Sequence, residues 1–321
     1  MKKITRTISI FFVALAALTA PAFAFSDQPE QFDPTSLYEI KESPSTGFFQ
    51  YVISASVEEN TDNLFVIAGP PDGIEVYYRM DGLFKRQISL PASVGAKDRV
   101  VPCAGRIWLL SSGKLLEIDR KNKVVTPSNL PSPLPERIGE ILCDSSERLI
   151  VTDGDGKEIR RYDKKGAQDL QIGGSQTSVV DKQTEKQAPV PMPYKKISYI
   201  TTDQFGRIFI FDAVKCAVFP FDQKARALPS LPKSDFQDVS FPCDSPSFAV
   251  DADRNLWFIN SLQNSIDGYD SFGTLKKRIY ANTDNGPRFI TPSRIFIDSK
   301  NRLYVIDRAS ASIKVFDLNR K

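Results

Sequence analysis

The chain contains no histidine among its 321 residues. That absence excludes Ser-His-Asp and Cys-His catalysis, histidine general bases and histidine-ligated zinc or iron centres. Cysteine is scarce, at four residues, and no CxxC spacing occurs, so a thiolate metal site is unsupported. Long apolar stretches are missing too, apart from Ile8 to Leu18. That run is too short for the roughly 20 residues a bilayer demands. It follows Lys2, Lys3 and Arg6 and precedes Ala22-Phe23-Ala24, so residues 1–24 read as a cleavable signal peptide. The expectation is a periplasmic or secreted protein with no membrane span after cleavage.

Excess charge is the next thing lacking. The leader carries three of the 42 Lys+Arg and none of the 39 Asp+Glu, so residues 25–321 balance to a net charge of zero. Nucleic-acid binding ordinarily shows as a basic surplus, because affinity rests on neutralised phosphates. No nucleic-acid partner is expected.

What the sequence does have is a carboxylate ladder, repeated four times: Asp144/Asp153/Asp163, Asp203/Asp212/Asp222, Asp251/Asn260/Asp270 and Asp298/Asp307/Asp317. The last three copies are spaced by 48 and 47 residues, the signature of one supersecondary unit used repeatedly. Between the first two rungs lie RLIVTD (148–153), RIFIFD (207–212), NLWFIN (255–260) and RLYVID (302–307). These are apolar at nearly every position, so both faces of the strand are buried. The next strand is looser, as in SIDGYD (265–270). Each rung opens a turn in which an Asp carboxylate can accept from backbone N–H groups two residues on. The recurring Asp residues are therefore read as turn formers, not as a ring of catalytic acids. Two degenerate copies precede these. One keeps the spacing through Glu59, Ala68 and Tyr78, and the other runs RIWLLS (106–111) then KLLEID (114–119), giving six units.

The sixth unit ends at the C-terminus after its third strand, which would leave a bare sheet edge. The alternating segment 36–41 is expected to supply the missing outer strand. Residues 25–321 are thus expected to form a single all-β domain: a six-bladed β-propeller of four-stranded antiparallel blades, its ring closed by an N-terminal strand.

PSRIFIDSKNRLYVIDRASASIKVFD (292–317) resembles the NHL repeat, and the resemblance extends over about residues 137–318. It implies the same six-bladed propeller, a fold that hosts unrelated activities. The absence of histidine argues against the amidating-lyase branch of NHL proteins. Six-bladed lactonases of the gluconolactonase and paraoxonase type hold calcium with Asn, Asp and Glu, and no motif here matches them beyond the fold.

Calcium needs only oxygen ligands, so it survives the loss of histidine. Asp251-Ala252-Asp253-Arg254-Asn255 and Asp153-Gly154-Asp155-Gly156 are the candidate loops. Both lack an acidic residue at position twelve, where Leu262 and Lys164 stand. No cofactor is expected, Ca2+ being the only candidate.

On the blade map, Cys216 and Cys243 fall in loops of one face and are expected to be able to pair, whereas Cys103 and Cys143, ending adjacent inner strands, are expected to be buried free thiols. That face carries long Pro-rich loops, including an insertion at 173–194 that is either a surface excursion or a lid. Arg99, Arg137, Lys196 and Arg294 enter the inner strands there, with Tyr194 and Arg288 just upstream. Together they form a candidate channel-mouth site for a carboxylate or an acidic peptide segment. The leading expectation is a non-catalytic exported scaffold binding a protein, peptide or glycan partner on the loop-rich face. The alternative is a calcium-dependent hydrolase or lactonase acting in the channel.

Overall fold

In a computed structural model, the chain is described at residues 29–44, 47–69, 73–90, 95, 97–119, 125–174, 192–231, 241–283 and 286–319. The leader at 1–24 and most of the 173–194 insertion lie outside the described residues. Every regular element described is a β-strand.

Why the second strand of each blade is apolar throughout is visible in the packing. The core divides into six clusters, one at each junction between neighbouring blades. Side chains alternate across a strand. In blade 3, Leu149 and Val151 join the cluster shared with blade 2, while Ile150 joins the one shared with blade 4. Each strand is thus core on both faces, and burying one such side chain is worth roughly 1.5–3 kcal/mol. The sixth cluster joins Tyr304, Ile306, Ile313 and Val315 of blade 6 to Val52, Leu64 and Val66 of blade 1, which makes the assembly a closed ring.

The inner strands, in blade order, are Tyr51–Glu58, Arg99–Cys103, Ile138–Cys143, Tyr199–Thr202, Phe248–Val250 and Pro292–Ile297. Blades 1, 2 and 3 are antiparallel sheets of four consecutive strands. Blade 4 has three regular strands. Its outer segment contains Pro229, which cannot donate to a ladder, and is held by bridges from Phe221 to Ala227 and from Val218 to Leu231. Blade 5 gains a short fifth strand, Glu30–Gln31, parallel to Lys277 and Arg278. Blade 6 is completed as the sequence indicated: Thr35–Ile40 pairs antiparallel with Ser312–Asp317, Tyr38 opposite Val315 and Ile40 opposite Ile313.

The first-rung carboxylates do the work of turns. Asp298 Oδ1 accepts from the backbone N–H of Lys300 and Arg302 at 3.0 and 2.9 Å, while Oδ2 takes Arg302 Nε at 2.9 Å and the Tyr304 hydroxyl at 3.1 Å. Asp144 and Asp203 repeat the backbone pattern with Arg148 and Arg207 as partners. In blade 1 the rung is Glu58, not Glu59: Glu58 is buried and stands opposite Asn63, whereas Glu59 is exposed and reaches Arg79 and Ser299. The hairpin turn there is one residue longer than in blade 6, which shifted the apparent spacing.

All four cysteines are oxidised. Cys216 is bonded to Cys243, with Cα atoms 5.0 Å apart. Cys103 is bonded to Cys143 with Cα atoms 5.5 Å apart, which corrects the expectation of two free thiols. Blades taper toward the axis, so the ends of neighbouring inner strands converge there to within bridging distance.

Candidate functional site

Six inner strands around one axis leave a central space. It is a cavity of about 430 Å3, within the range of small-ligand sites. Its lining begins with one residue from each blade: Ser54, Arg99, Glu140, Tyr199, Ser247 and Arg294. Each stands four residues before the end-of-strand position held by Glu58, Cys103, Asp144, Asp203, Asp251 and Asp298, so the sixfold repeat places all six at one depth. From this layer the lining continues to the turns that follow the inner strands, at Asn60, Ser145, Gln204 and Ser299, all exposed. The cavity therefore opens on the turn face, opposite the Pro-rich loops.

The layer of six is the base of the cavity, and it is charged. Blades 3 and 6 are diametrically opposed. Arg294 reaches across the axis to Glu140 in a two-pronged ion pair, Nη2 to Oε1 at 3.1 Å and Nη1 to Oε2 at 3.2 Å. Arg99 brings Nε to 3.5 Å from the same Oε1 and donates from Nη1 to the Asp98 carbonyl at 2.8 Å. Its Nε is buried with no hydrogen-bond acceptor. Two guanidiniums share one carboxylate, a formal +1 for the layer of six, which the buried Asp98 carboxylate beside Arg99 partly offsets.

Burial pushes the Glu140 carboxyl up, but the Arg294 and Arg99 guanidiniums outweigh it and hold the group below the usual carboxylate range. Burial, and then the neighbouring Arg294, pull Arg99 down to about 10, so it stays charged at neutral pH. The base thus holds one guanidinium donor, Arg99 Nε, with an ion-pair neighbour but no hydrogen-bond acceptor.

Of the six residues expected at a channel mouth, Arg99 and Arg294 come together in this base, at its buried end. Arg137 and Lys196 lie on the other face. Their aliphatic stems flank the tight turn of blade 3: a β-carbon on Gly154 would meet Arg137 Cγ at 2.8 Å, and one on Gly156 would meet Lys196 Cγ at 3.3 Å. Tyr194 is core, its hydroxyl donating to the Lys157 carbonyl at 3.3 Å and pushed up by burial. Arg288 pairs with Asp33 of the N-terminal segment. Glu140, Tyr199, Ser247 and Ser54 were not anticipated. Counting four back from Asp144, Asp203 and Asp251 would have found the first three, whereas Ser54 needed the corrected rung at Glu58.

The two candidate calcium loops are occupied by their own turns. Asp153 accepts from the N–H of Lys157 and Glu158 at 2.7 and 2.8 Å, and Asp251 accepts from Asn255 and from the indole N–H of Trp257 at 2.9 Å. Among the described residues, no group of three or more Cys, Asp and Glu is arranged to hold a metal ion.

No protein-family model matches the sequence, and no curated protein matches it. Solved structures do. Virginiamycin B lyase from Staphylococcus aureus is 14% identical with a TM-score of 0.50, over 88% of this chain and 89% of that one. A streptogramin B lyase is 14% identical with a TM-score of 0.53, over 88% and 98%. An auxiliary nutrient binding protein from Bacteroides thetaiotaomicron is 12% identical with a TM-score of 0.54, over 89% and 74%. The fold is a six-bladed β-propeller. At such identities the likeness carries architecture and not activity.

Proposed function

We propose that this chain is a non-catalytic ligand-binding propeller that takes a small anion into its channel from the turn face. The observation that carries the reading is the Arg99–Glu140–Arg294 base, formally positive by one charge and holding a buried guanidinium N–H without an acceptor. An anion arriving there gains charge-assisted hydrogen bonds in a site of low dielectric. The nutrient-binding neighbour is compatible with such a role. Isothermal titration with small monoanions in chloride-free buffer tests it. Binding that weakens at least tenfold in Arg99→Gln is the expected result, and no heat with any anion would overturn it.

Catalysis is disfavoured on the chemistry of the residues. The lyase neighbour is known as a variant made catalytically inactive by replacing one histidine with alanine, and this chain has no histidine at all. The lactonase alternative needs carboxylates free to hold calcium in the channel. Here Glu140 is held by two arginines, and the rungs at Asp144, Asp203 and Asp298 are held by backbone N–H groups and arginines.

A second reading keeps a protein, peptide or glycan partner on the loop-rich face. It is favoured by Arg137, Lys157, Lys195 and Lys196, which are exposed and form no ion pair among the described residues. Their charge suits an acidic partner. Removal of Arg137 and Lys196 together would then abolish capture of such a partner while leaving anion binding in the channel intact. Two disulfides, and no helix among the described residues long and apolar enough to cross a membrane, are compatible with an exported protein. The blades are read as NHL-type repeats on the rung pattern alone.

A further inference from the structure

The cavity changes character along its length. Above the charged base, the lining includes Val57, Val101, Leu142, Val250, Phe296 and Ile297, with Ser56, Thr201 and Thr202 as its polar members. No charged residue lines the space between the base and the rung level. At the mouth charged residues return, but they are paired: Glu59 with Arg79, Glu147 with Lys164, and Asp144, Asp203 and Asp298 with Arg148, Arg207 and Arg302. A ligand filling this space meets one positive end, an apolar middle and a rim of paired charges.

We propose that the cavity is built for an amphipathic monocarboxylate. Its carboxylate sits on Arg99 and Arg294, and an uncharged apolar body lies along Leu142, Phe296 and Ile297. This rests on the anion-binding reading and adds the body to the head. A single negative charge neutralises the formal surplus of the Arg99–Glu140–Arg294 base. An apolar body displaces water from walls that offer it few partners. A second carboxylate at the far end would lie against the uncharged stretch of the lining, where no cation stands to pair it. The ligand would enter tail last, since the only exposed lining is at the turn face.

The test is calorimetric titration of the disulfide-intact protein with acetate, hexanoate, octanoate, octanedioate and 1-octanol. Expected is a rise in affinity of roughly two- to fourfold per added methylene from acetate to octanoate. Octanedioate and 1-octanol should each bind at least tenfold more weakly than octanoate. Acetate and octanoate binding alike would overturn the apolar body and leave the anion site standing. Octanol matching octanoate would overturn both. Acetate binding with no octanoate binding would overturn this proposal alone, and silence from the whole series would overturn both. As a second measurement, Leu142→Trp should exclude octanoate yet retain acetate. Equal binding of octanoate by that variant and the parent would count against the body's placement.

Discussion

Tyr38 of the closing strand lies against Gly82 of blade 1, so closely that a β-carbon on the glycine would stand 2.6 Å from Tyr38 Cδ2. Gly82 also has φ +72°, where only glycine is comfortable. The Tyr38 hydroxyl and Arg302 both donate to the Arg79 carbonyl, so this contact sits at the seam between the last blade and the first. Gly82→Ala is expected to cost about 1–3 kcal/mol, from strain at positive φ and from displacing the ring. Urea unfolding measures it. An unchanged midpoint would mean that the seam does not limit stability.

Breaking the cross-axis pair should be costly and pH-dependent. Glu140→Gln leaves two guanidiniums facing each other, a loss of about 3 kcal/mol at pH 7. The folded carboxyl is depressed below its unfolded value, so its contribution is complete above the unfolded pKa of roughly 4.3 and fades as pH falls through the folded one. The gap in unfolding free energy between parent and variant should therefore be wide at neutral pH and close on acidification. A gap independent of pH would refute the assignment.

The disulfide in the channel wall gives a direct chemical readout. Denatured protein should show no reactive thiol before reduction and four after it. Replacing Cys103 and Cys143 by serine, which opens a cross-link spanning 40 residues, should destabilise by about 3–4 kcal/mol. Two reactive thiols in the unreduced protein would show that only one bridge forms.

Rungs of different depth should differ in worth. Asp298 is buried and anchors two backbone N–H groups, Arg302 and Tyr304. Asp163 accepts from the backbone N–H of Lys165 and Ala167 in an exposed turn. Asp298→Ala should cost about 3–5 kcal/mol, because it strands a buried guanidinium, and Asp163→Ala about 1 kcal/mol. Equal losses would contradict the turn-anchor account.

The architecture was legible because the blade is a local unit and its rules are local. Apolar runs such as RIFIFD reported strands buried on both faces, the Asp rungs reported turns, and a missing fourth strand at the C-terminus reported closure from the N-terminus. The cavity was legible only in part. Arg99 and Arg294 were picked as cations near the axis, but their meeting at Glu140 joins residues 154 positions apart and depends on blades 3 and 6 facing each other. Arg288 and Tyr194 looked equivalent in sequence and are claimed by Asp33 and by the core. The Cys103–Cys143 bond was missed because burial was weighed and the taper of the wedges was not.

Closure by residues 35–40 has a kinetic corollary. The partner of this strand, residues 312–317, is made only after all of blades 1 to 5, so residues 35–40 must wait unpaired while those blades emerge. Blades 1 to 5 can assemble in order from their own hairpins, but the annulus locks only when head meets tail. A chain stalled or clipped before residue 312 would leave an open spiral with an exposed sheet margin, prone to stick to its neighbours.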